Sequence, residues 1–403
     1  MFAWHKIKKI KKTVALRKNS FRLFLQVGVY IFIYYVAISL TQIYEHTEKI
    51  CSRVLRIPGR TALHRDWTPF SSFNLSDYIQ KFEESSLLVP SGLCEKHSLV
   101  TIFVTSPVNG FRQRQRIRKS WGNTSNFNYP AFFKMHGHLK GFYYPPSKNR
   151  MVLYGKYLSA KEETLRASVR VVFIVGRHQR TTLNNRATIR KLRKESDIYN
   201  DVIQEDFVDT FNNLTLKSVM ALKHFNKKCF DTSAYFLKAD DDSFVNVPNL
   251  IHILLGGTLP AYKPHHKMQI RLTATSGVFL GHELSDIKPI RQMCNKFHVP
   301  QYIYPEAVFP RYLSGSGYLM SRDVARQLYE AAWHTEIIPL EDVFITGLCS
   351  LNAKLNPVHS PLFSLRKVQD LCDFRENIVQ HFFKDPNKKR EWHNMTNNQI
   401  KCK

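Results

Sequence analysis

Short apolar segments with the composition of buried β-strands alternate with helix-like segments over most of this chain. The strand-like segments are 98–106, 169–176, 201–207 and 234–239. A cationic helix is predicted over 111–121 and a longer amphipathic helix over 209–225, with Asp209 as its N-cap. Strands that alternate with helices are typical of α/β proteins, so we expect a mostly parallel sheet with helices packed against it.

The N-terminal 40 residues predict a single membrane anchor. Residues 1–20 contain seven Lys and Arg and no acid, and residues 21–40 are apolar apart from Arg22. An apolar run of this length can cross a bilayer as one helix, and the positive-inside rule then gives a type II orientation. A cleaved signal peptide and a buried core helix are the alternatives, but the run is long for a signal peptide and a core helix does not explain the basic flank. Residues 41–93, with scattered Pro, Gly and Ser, are predicted to form a stem, followed by a lumenal domain at 94–403.

Glycosylation signals and cysteines agree with a lumenal location for this domain. Asn-x-Ser/Thr acceptors occur at Asn74, Asn123, Asn213 and Asn394. In an oxidising compartment six of the seven cysteines can form three disulfides, with Cys51 as the odd one, free or linked to a second copy in a homodimer. No C-x-x-C pair occurs, which argues against a zinc site. The net charge of +27 is typical of nucleic-acid binding, but the lumenal location excludes that partner.

Three consecutive carboxylates, Asp240, Asp241 and Asp242, follow directly after the strand-like segment 234–239. Open α/β sheets bind ligands at the carboxyl ends of their strands, and three adjacent carboxylates repel one another unless a cation is present. Oxygen ligands of this kind suit Mg²⁺ or Mn²⁺ shared with the phosphate oxygens of a substrate. A solvated acidic turn is the alternative. The apolar strand before the triplet and the scarcity of acids in the chain favour the metal site.

Three further segments contain candidate ligand-binding residues. Glu341 and Asp342 stand where an apolar stretch leads into a helix, and are either site carboxylates or favourable charges at a helix N-terminus. Gly315 and Gly317 lie in apolar sequence between the two acidic clusters, and would let backbone approach a ligand closely or would mark a bulge. The basic helix at 111–121 either meets a diphosphate or is a solvated face.

Five of these segments form an ordered set of motifs. In chain order they are RQRIRKSWG, EDFVDTFNNLTLKSVMALKHF, YFLKADDDSFVN, YLSGSGYLMS and EDVFITGLC. The set resembles the Golgi β-1,3-glycosyltransferase family, the group of galactosyl- and N-acetylglucosaminyltransferases, over about Cys94 to Cys402. The resemblance implies a GT-A fold, a UDP-sugar donor, a Mn²⁺ or Mg²⁺ cofactor, and inverting β-1,3 transfer of a hexose to a glycan on a glycoprotein or glycolipid. It favours galactose over N-acetylglucosamine and N-acetylgalactosamine, and it implies a Golgi membrane protein.

The resemblance also implies roles for individual residues. Asp242, with Asp240, matches the D-x-D motif and is the expected direct metal ligand, and His381 is expected as a second metal ligand in preference to His359. Asp342 is the expected general base, which takes the proton of the acceptor hydroxyl. The residues expected to bind the donor are Arg114, Arg118, Asp241, Gly315 and Gly317.

One segment departs from the family pattern, and two other functional classes fit the acidic triplet. Residues 126–168 form an insertion rich in basic and aromatic residues. A metal-dependent phosphohydrolase would use the same carboxylates, but the sequence lacks a clear second set of metal ligands. A catalytically inactive, membrane-anchored carbohydrate-binding protein would not depend on Asp242 and Asp342.

Overall fold

The structure is a computed structural model in which the chain divides into two compact units. It describes residues 28–39, 73–161, 164–178, 184–260, 271–292, 295–367, 371–381 and 394–396. The smaller unit is Met1–Leu63 with Gln292–Lys296, and the larger is His64–Arg291 with Phe297–Lys403. All of the candidate catalytic, metal-binding and donor-binding residues lie in the larger unit.

The predicted membrane anchor falls only in part on described residues. Residues 28–39 form helix α1, and almost all of its side chains are exposed. No helix among the described residues is long and apolar enough to cross a membrane. The basic tail at 1–20, the remaining anchor residues and most of the stem lie outside the described part of the chain, so the anchor stays a prediction.

The larger unit is built on an eight-stranded sheet. The described strands are β1 (Ser86–Leu88), β2 (Ser98–Thr105), β3 (Leu158–Lys161), β4 (Thr164–Ala167), β5 (Val169–Arg177), β6 (Val202–Val208), β7 (Ser233–Asp240), β8 (Phe244–Val245), β9 (Phe279–Leu284), β10 (Tyr312–Ser321), β11 (Val358–His359), β12 (Phe363–Ser364) and β13 (Val379–Gln380). The large sheet has the order β1-β6-β5-β2-β7-β10-β9-β11, and its four central strands, β6, β5, β2 and β7, run parallel. This confirms the prediction of a mostly parallel sheet. Strands β12, β13 and β8 form a small second sheet, and β3 and β4 form a third.

Helices cover both faces of the large sheet. After α1 the described helices are α2 (Phe111–Arg118), α3 (Pro130–His136), α4 (Lys148–Leu153), α5 (Asn184–Tyr199), α6 (Leu214–His224), α7 (Val247–Leu254), α8 (Arg322–Ala332), α9 (Cys349–Asn352) and α10 (Leu371–Glu376). Successive side chains of a strand point to opposite faces, so β7 contributes Tyr235 and Leu237 to one core and Phe236 to the other. The first core includes α3 and α7, and the second includes α6 and α8. The result is a three-layer α/β/α domain.

Helix α6 differs from its prediction in both start and burial. It begins at Leu214, and Asp209 is not its N-cap. Instead the carboxylate of Asp209 accepts hydrogen bonds from the backbone N–H groups of Val108 and Gly176, and it forms an ion pair with Lys217. Asp209 therefore ties together the ends of three parallel strands. Every residue of α6 after Leu214 is buried, because the helix lies between the sheet and α8, so the expected amphipathic pattern is wrong.

The cysteines pair differently from the prediction. Cys94 and Cys229 form a disulfide that joins the start of the domain to the end of the helix preceding β7. Cys372 is also disulfide-bonded. Cys349, however, is free and fully buried at the start of α9. The expectation that all six cysteines other than Cys51 pair is therefore wrong: Cys349 packs as a small apolar side chain in the second core, and Cys51 lies outside the described residues.

The four glycosylation signals differ in exposure. Asn74 and Asn394 are exposed, whereas Asn123 and Asn213 are partly buried. The side-chain amide of Asn213 also donates a hydrogen bond to the carbonyl of Val208 at the end of β6. A glycan on Asn213 would have to displace that contact, so the exposed pair presents the more accessible acceptors.

Candidate active site

The three carboxylates of the triplet lie at the carboxyl end of β7, as the sequence predicted, but their surroundings differ. Asp240 ends β7 beside the last residue of β2, with Thr105 as its register partner. Its Oδ1 accepts hydrogen bonds from Thr105 Oγ1 at 2.8 Å and from Lys238 Nζ at 2.8 Å. This oxygen is thus paired with a buried cation, and metal binding by Asp240 stays a prediction.

Asp241 is held by the strand next to it. Ser106 Oγ donates a hydrogen bond to Asp241 Oδ2 at 2.8 Å, and Arg116 Nη2 donates to the Asp241 carbonyl at 3.3 Å. The pKa of Asp241 is raised to about 6, mainly by burial. The hydrogen bond from Ser106 lowers this pKa, and the charges of Asp242 and Asp240 raise it. The carboxylate is therefore fixed in position and only weakly ionised at mildly acidic pH.

Asp242 lies beside His381, which is 139 positions further along the chain. The small sheet explains this proximity, because Gln380 on β13 is the register partner of Phe244 on β8. His381 follows directly, and its backbone N–H donates to the carbonyl of Ser364. Asp242 Oδ1 and His381 Nε2 are 3.6 Å apart. The alternative histidine, His359, is instead packed against another histidine at the edge of the large sheet.

Asp342 is partly buried at the start of the π-helical turn Val343–Leu348. Its Oδ1 accepts a hydrogen bond from its neighbour, the Val343 N–H, at 3.0 Å, and its Oδ2 accepts from the Gly315 N–H at 3.2 Å. Burial, followed by the charge of Glu341, raises the pKa of Asp342 to about 6. A carboxylate with a pKa in this range is a suitable proton acceptor near neutral pH.

A buried lysine connects the two acidic clusters. Lys238 is fully buried, and its ammonium lies 2.8 Å from Asp240 and 3.1 Å from Glu341, and it also donates to the carbonyl of Gly315. Burial opposes the charge on Lys238, but the two carboxylates outweigh that effect and raise its pKa. Glu341 additionally accepts a hydrogen bond from the Tyr318 hydroxyl at 2.6 Å. Lys238 therefore remains charged and holds the two acidic segments together.

Sequence reasoning missed Lys238, although a signal was present. The lysine interrupts the apolar strand YFLKA at a position on the same face as Phe236, which is buried. A lysine on a buried face requires buried partners of opposite charge. One of these partners, Asp240, is two positions away, but the other, Glu341, is 103 positions away and beyond the reach of local pattern analysis.

The two glycines of β10 permit close packing rather than a special backbone conformation. A Cβ on Gly315 would lie 2.9 Å from Glu341 Oε2, and a Cβ on Gly317 would lie 2.9 Å from Val379 Cγ1. The pairing of β10 with β9 shifts register between Leu313 and Tyr318, so the glycines lie in a bulged segment. Of the two alternatives from the sequence, the bulge is confirmed. Both glycines allow close packing, Gly315 also supplies an N–H to Asp342, and donor binding by either stays a prediction.

Arg114 and Arg118 are occupied by internal ion pairs. Arg114 is fully buried and forms two hydrogen bonds to Glu195, at 3.0 and 2.7 Å. Arg118 contacts Glu195 at 2.7 Å and pairs with Asp201 through two hydrogen bonds of 2.7 Å. These contacts join α2 to α5 and to the start of β6. Both arginines therefore support the fold, the solvated face expected as the alternative does not describe them, and donor binding by either stays a prediction.

The residues at this edge fit a divalent cation that is shared with a substrate. Among the described residues no group of three or more His, Cys, Asp or Glu side chains is placed to hold a metal ion. Asp242 and His381 form a pair of suitable donors, one carboxylate oxygen and one imidazole nitrogen. Mg²⁺-type ions are commonly bound by one or two protein ligands, with substrate phosphates and water completing the shell. Two protein ligands are therefore consistent with such an ion.

The fold and the site define an α/β enzyme whose acidic centre lies outside the carboxyl ends of parallel strands, the usual position of a ligand site in open α/β sheets. A family model described as galactosyltransferase matches residues 148–361. The match takes in more than half of the 403 residues, and the chain belongs to the galactosyltransferase family. This confirms the family that the five motifs indicated.

Individual relatives extend the similarity over most of the domain. The chain is 29% identical to β-1,3-galactosyltransferase 1 of Mus musculus over 312 residues, 77% of this chain and 78% of the relative. It is 30% identical to lactosylceramide 1,3-N-acetyl-β-D-glucosaminyltransferase A of Danio rerio over 272 residues, 67% of this chain and 58% of the relative. It is 29% identical to human UDP-GalNAc:β-1,3-N-acetylgalactosaminyltransferase 1 over 335 residues, 82% of this chain and 83% of the relative.

Proposed function

We propose that this protein transfers a hexose, with galactose favoured, from a UDP-sugar to a glycan acceptor in β-1,3 linkage with inversion. The relatives are named as β-1,3-galactosyl-, N-acetylglucosaminyl- and N-acetylgalactosaminyltransferases, and they share the linkage but differ in the sugar. The matching family model is described as galactosyltransferase, which favours galactose. The acceptor is a glycan on a glycoprotein or a glycolipid.

The observation that carries the proposal is the convergence of two acidic clusters at one edge of the sheet. Lys238 bridges the triplet and Glu341, and Glu341 adjoins Asp342. Glycosyl transfer with inversion needs one group to stabilise the leaving diphosphate and one base to deprotonate the acceptor hydroxyl. The two clusters supply one candidate for each role.

Asp242 and His381 would hold Mn²⁺ or Mg²⁺ on the leaving-group side. When bound, the cation would neutralise the negative charge that develops on UDP. Asp240 adjoins this pair at the end of β7, where Lys238 and Thr105 hold its Oδ1. Asp241 keeps the loop in place through Ser106 and Arg116.

Asp342 would act as the general base. Above a pH of about 6 its carboxylate is ionised and can accept a proton from the hydroxyl that attacks the donor sugar. The N–H groups of Val343 and Gly315 each hold one carboxylate oxygen, so the base is oriented before the acceptor arrives. A single base is sufficient, because direct displacement needs no covalent intermediate on the protein.

We further propose that the enzyme is a Golgi protein of type II topology, anchored by residues 21–40. The basic residues before the apolar run and the absence of acids among residues 1–20 support this orientation. A homodimer through Cys51 in the stem remains part of this proposal. These statements rest on the sequence alone.

The proposed activity can be tested with purified full-length protein. UDP release is measured with UDP-galactose, UDP-N-acetylglucosamine and UDP-N-acetylgalactosamine, with Mn²⁺ or with a chelator, and with or without galactose- and N-acetylglucosamine-terminated acceptors. We expect acceptor-stimulated UDP release that needs the metal and is greatest with UDP-galactose. Release of inorganic phosphate in place of UDP, or no turnover with any donor, would contradict the proposal.

A further inference from the structure

A small pocket lies next to the candidate active site and is not used by the mechanism above. Its volume is about 230 Å³, below the range of about 300–1,000 Å³ that is typical for drug-sized ligands. Its lining contains His282 of β9, His359 of β11, residues of β12 and the segment after it, and Gln380 of β13. The pocket therefore has room for one small ring and not for a long oligosaccharide.

Two walls of the pocket adjoin groups of the candidate site. Gln380 lines the pocket and directly precedes His381, and its side-chain amide donates to the carbonyl of Arg366 at 2.6 Å. On the other side, Gly281 pairs with Tyr318 and Glu283 pairs with Leu313. His282 therefore stands opposite the bulge of β10, whose Gly315 N–H binds Asp342. A ligand in this pocket would therefore contact β13, which leads directly to His381, and β9, which pairs with the strand that supplies the N–H partner of Asp342.

The pocket presents hydrogen-bonding groups of both kinds. His282 Nδ1 lies 3.1 Å from the carbonyl of Phe363, which can only accept, so Nδ1 carries the proton and Nε2 of the neutral ring is an acceptor. His359 Nδ1 accepts from the Glu283 N–H at 3.3 Å, so its Nε2 carries the proton and is a donor. Burial lowers the pKa of His282, which keeps that ring neutral. One donor and one acceptor on adjacent rings suit hydroxyl groups, which both donate and accept.

The charges of the lining balance. Arg366 and Lys367 contribute two positive charges, and Asp373 and Glu376 contribute two negative charges. A strongly anionic or cationic ligand would gain little from such a mixture. Pro361 and Leu365 add apolar surface to the lining. A neutral pyranose, with hydroxyl groups at its rim and C–H groups on its faces, matches this combination.

We infer that this pocket binds a neutral sugar residue of the acceptor glycan, with His359 and His282 as hydrogen-bonding residues that position it. The inference rests on the proposed transfer function and adds the site and the chemical class of the acceptor. It predicts that changes in the pocket affect the acceptor and not UDP. His359 is a suitable probe, because its side chain is exposed and its loss does not endanger the core.

Binding can be measured without catalysis. Saturation-transfer NMR on the full-length protein, with UDP and Mn²⁺ filling the donor site, uses methyl β-D-galactopyranoside and methyl N-acetyl-β-D-glucosaminide as separate probes. We expect binding of at least one probe, with a Kd raised about tenfold by His359→Ala, the size expected for one lost hydrogen bond. His282→Phe keeps the ring and removes the acceptor nitrogen, and should weaken the same probe. His334→Ala is the matched control, because His334 is exposed at the end of α8 in the layer that packs on the second core.

The outcomes separate this inference from the proposed function. Calorimetric binding of UDP with Mn²⁺ should be unchanged in His359→Ala and His282→Phe. Equal weakening of UDP binding would assign the pocket to the donor site and overturn the inference. Unchanged sugar binding in both variants, or no sugar binding by the wild type, would also overturn it. Failure of the proposed function gives a different result, namely no transfer from any UDP-sugar while the probe sugar still binds.

Discussion

Replacement of Asp342 by Asn separates catalysis from structure most clearly. Asn keeps the size of the side chain, and its single carbonyl oxygen can still accept one of the two hydrogen bonds, from Gly315 or from Val343. It cannot accept the proton of an attacking hydroxyl. If Asp342 is the general base, turnover should fall by roughly 10²–10⁴-fold, the usual contribution of a positioned acid–base group. Binding of UDP with Mn²⁺ should change little, because Asp242 and His381 are untouched.

The same substitution should raise the free energy of unfolding at neutral pH, although it lowers turnover. The pKa of Asp342 is raised from an ordinary 3.8 to about 6, because burial and the neighbouring Glu341 disfavour the charged form. Between these two values the native protein binds more protons than the unfolded chain, so its stability falls as the pH rises through this window. At about 1.4 kcal/mol for each pH unit, the ionised carboxylate costs at most about 3 kcal/mol above pH 6.

The amide that Asp342→Asn introduces carries no charge, so this pH dependence should disappear from the stability of the variant. Urea unfolding at pH 4.5 and pH 7, together with calorimetric titration of UDP and a transfer assay, measures all three effects. Asp286→Asn is the matched control, because Asp286 is exposed in a loop with a φ of 56°, a conformation that Asn tolerates. Near-normal turnover of Asp342→Asn would refute the assignment of the base and make Glu341 the next candidate. If Asp342 served only the start of its helix, Asn would give normal turnover with a small loss of stability.

Three other predictions address the remaining parts of the proposal. Asp242→Asn should weaken UDP binding in the presence of Mn²⁺ but not in the presence of a chelator, as calorimetry would show, and equal affinities under both conditions would exclude Asp242 as a ligand. Lys238→Met should lower the free energy of unfolding by about 3–5 kcal/mol, because it leaves the buried carboxylate of Glu341 and the partly buried one of Asp240 without their cation; a loss below about 1 kcal/mol in urea unfolding would contradict this. Endoglycosidase should lower the mass of the cellular protein, and protease added to sealed microsomes should spare residues after Leu40; complete digestion would reject the type II topology.

The sequence predicts best those features that depend on neighbouring residues. The four parallel strands were recognised because β-branched and aromatic residues form short apolar runs, and each observed strand lies within a residue or two of its prediction. The position of the acidic triplet followed from the end of β7, since the residue after a parallel strand must lie at the carboxyl edge of the sheet. The order of residues along the chain is therefore sufficient to place the triplet at this edge, whereas the choice of Asp242 within it came from the resemblance to the family motif.

Features that depend on distant contacts were harder to predict. The proximity of His381 to Asp242 depends on the register of β13 against β8, and those strands have only two residues each, too few for a periodic pattern. Arg114 shows only a positive charge in the sequence, and its role follows from Glu195, which is 81 positions away. Cys349 could not be distinguished from the paired cysteines, because residue type alone does not reveal whether another sulfur lies within reach.

The structure also explains how three adjacent carboxylates can share one strand end. Each of them meets a different partner: Asp240 pairs with the buried ammonium of Lys238, Asp241 accepts from the neutral hydroxyl of Ser106, and Asp242 adjoins His381. The pKa of Asp241 rises to about 6 because burial and its two neighbours disfavour its charge, whereas Lys238 compensates the charge of Asp240. The repulsion within the triplet is thus relieved at two positions by the protein itself. Only Asp242 combines a carboxylate with an adjacent imidazole, and it is therefore the member of the triplet to which a divalent cation would add the most stabilisation.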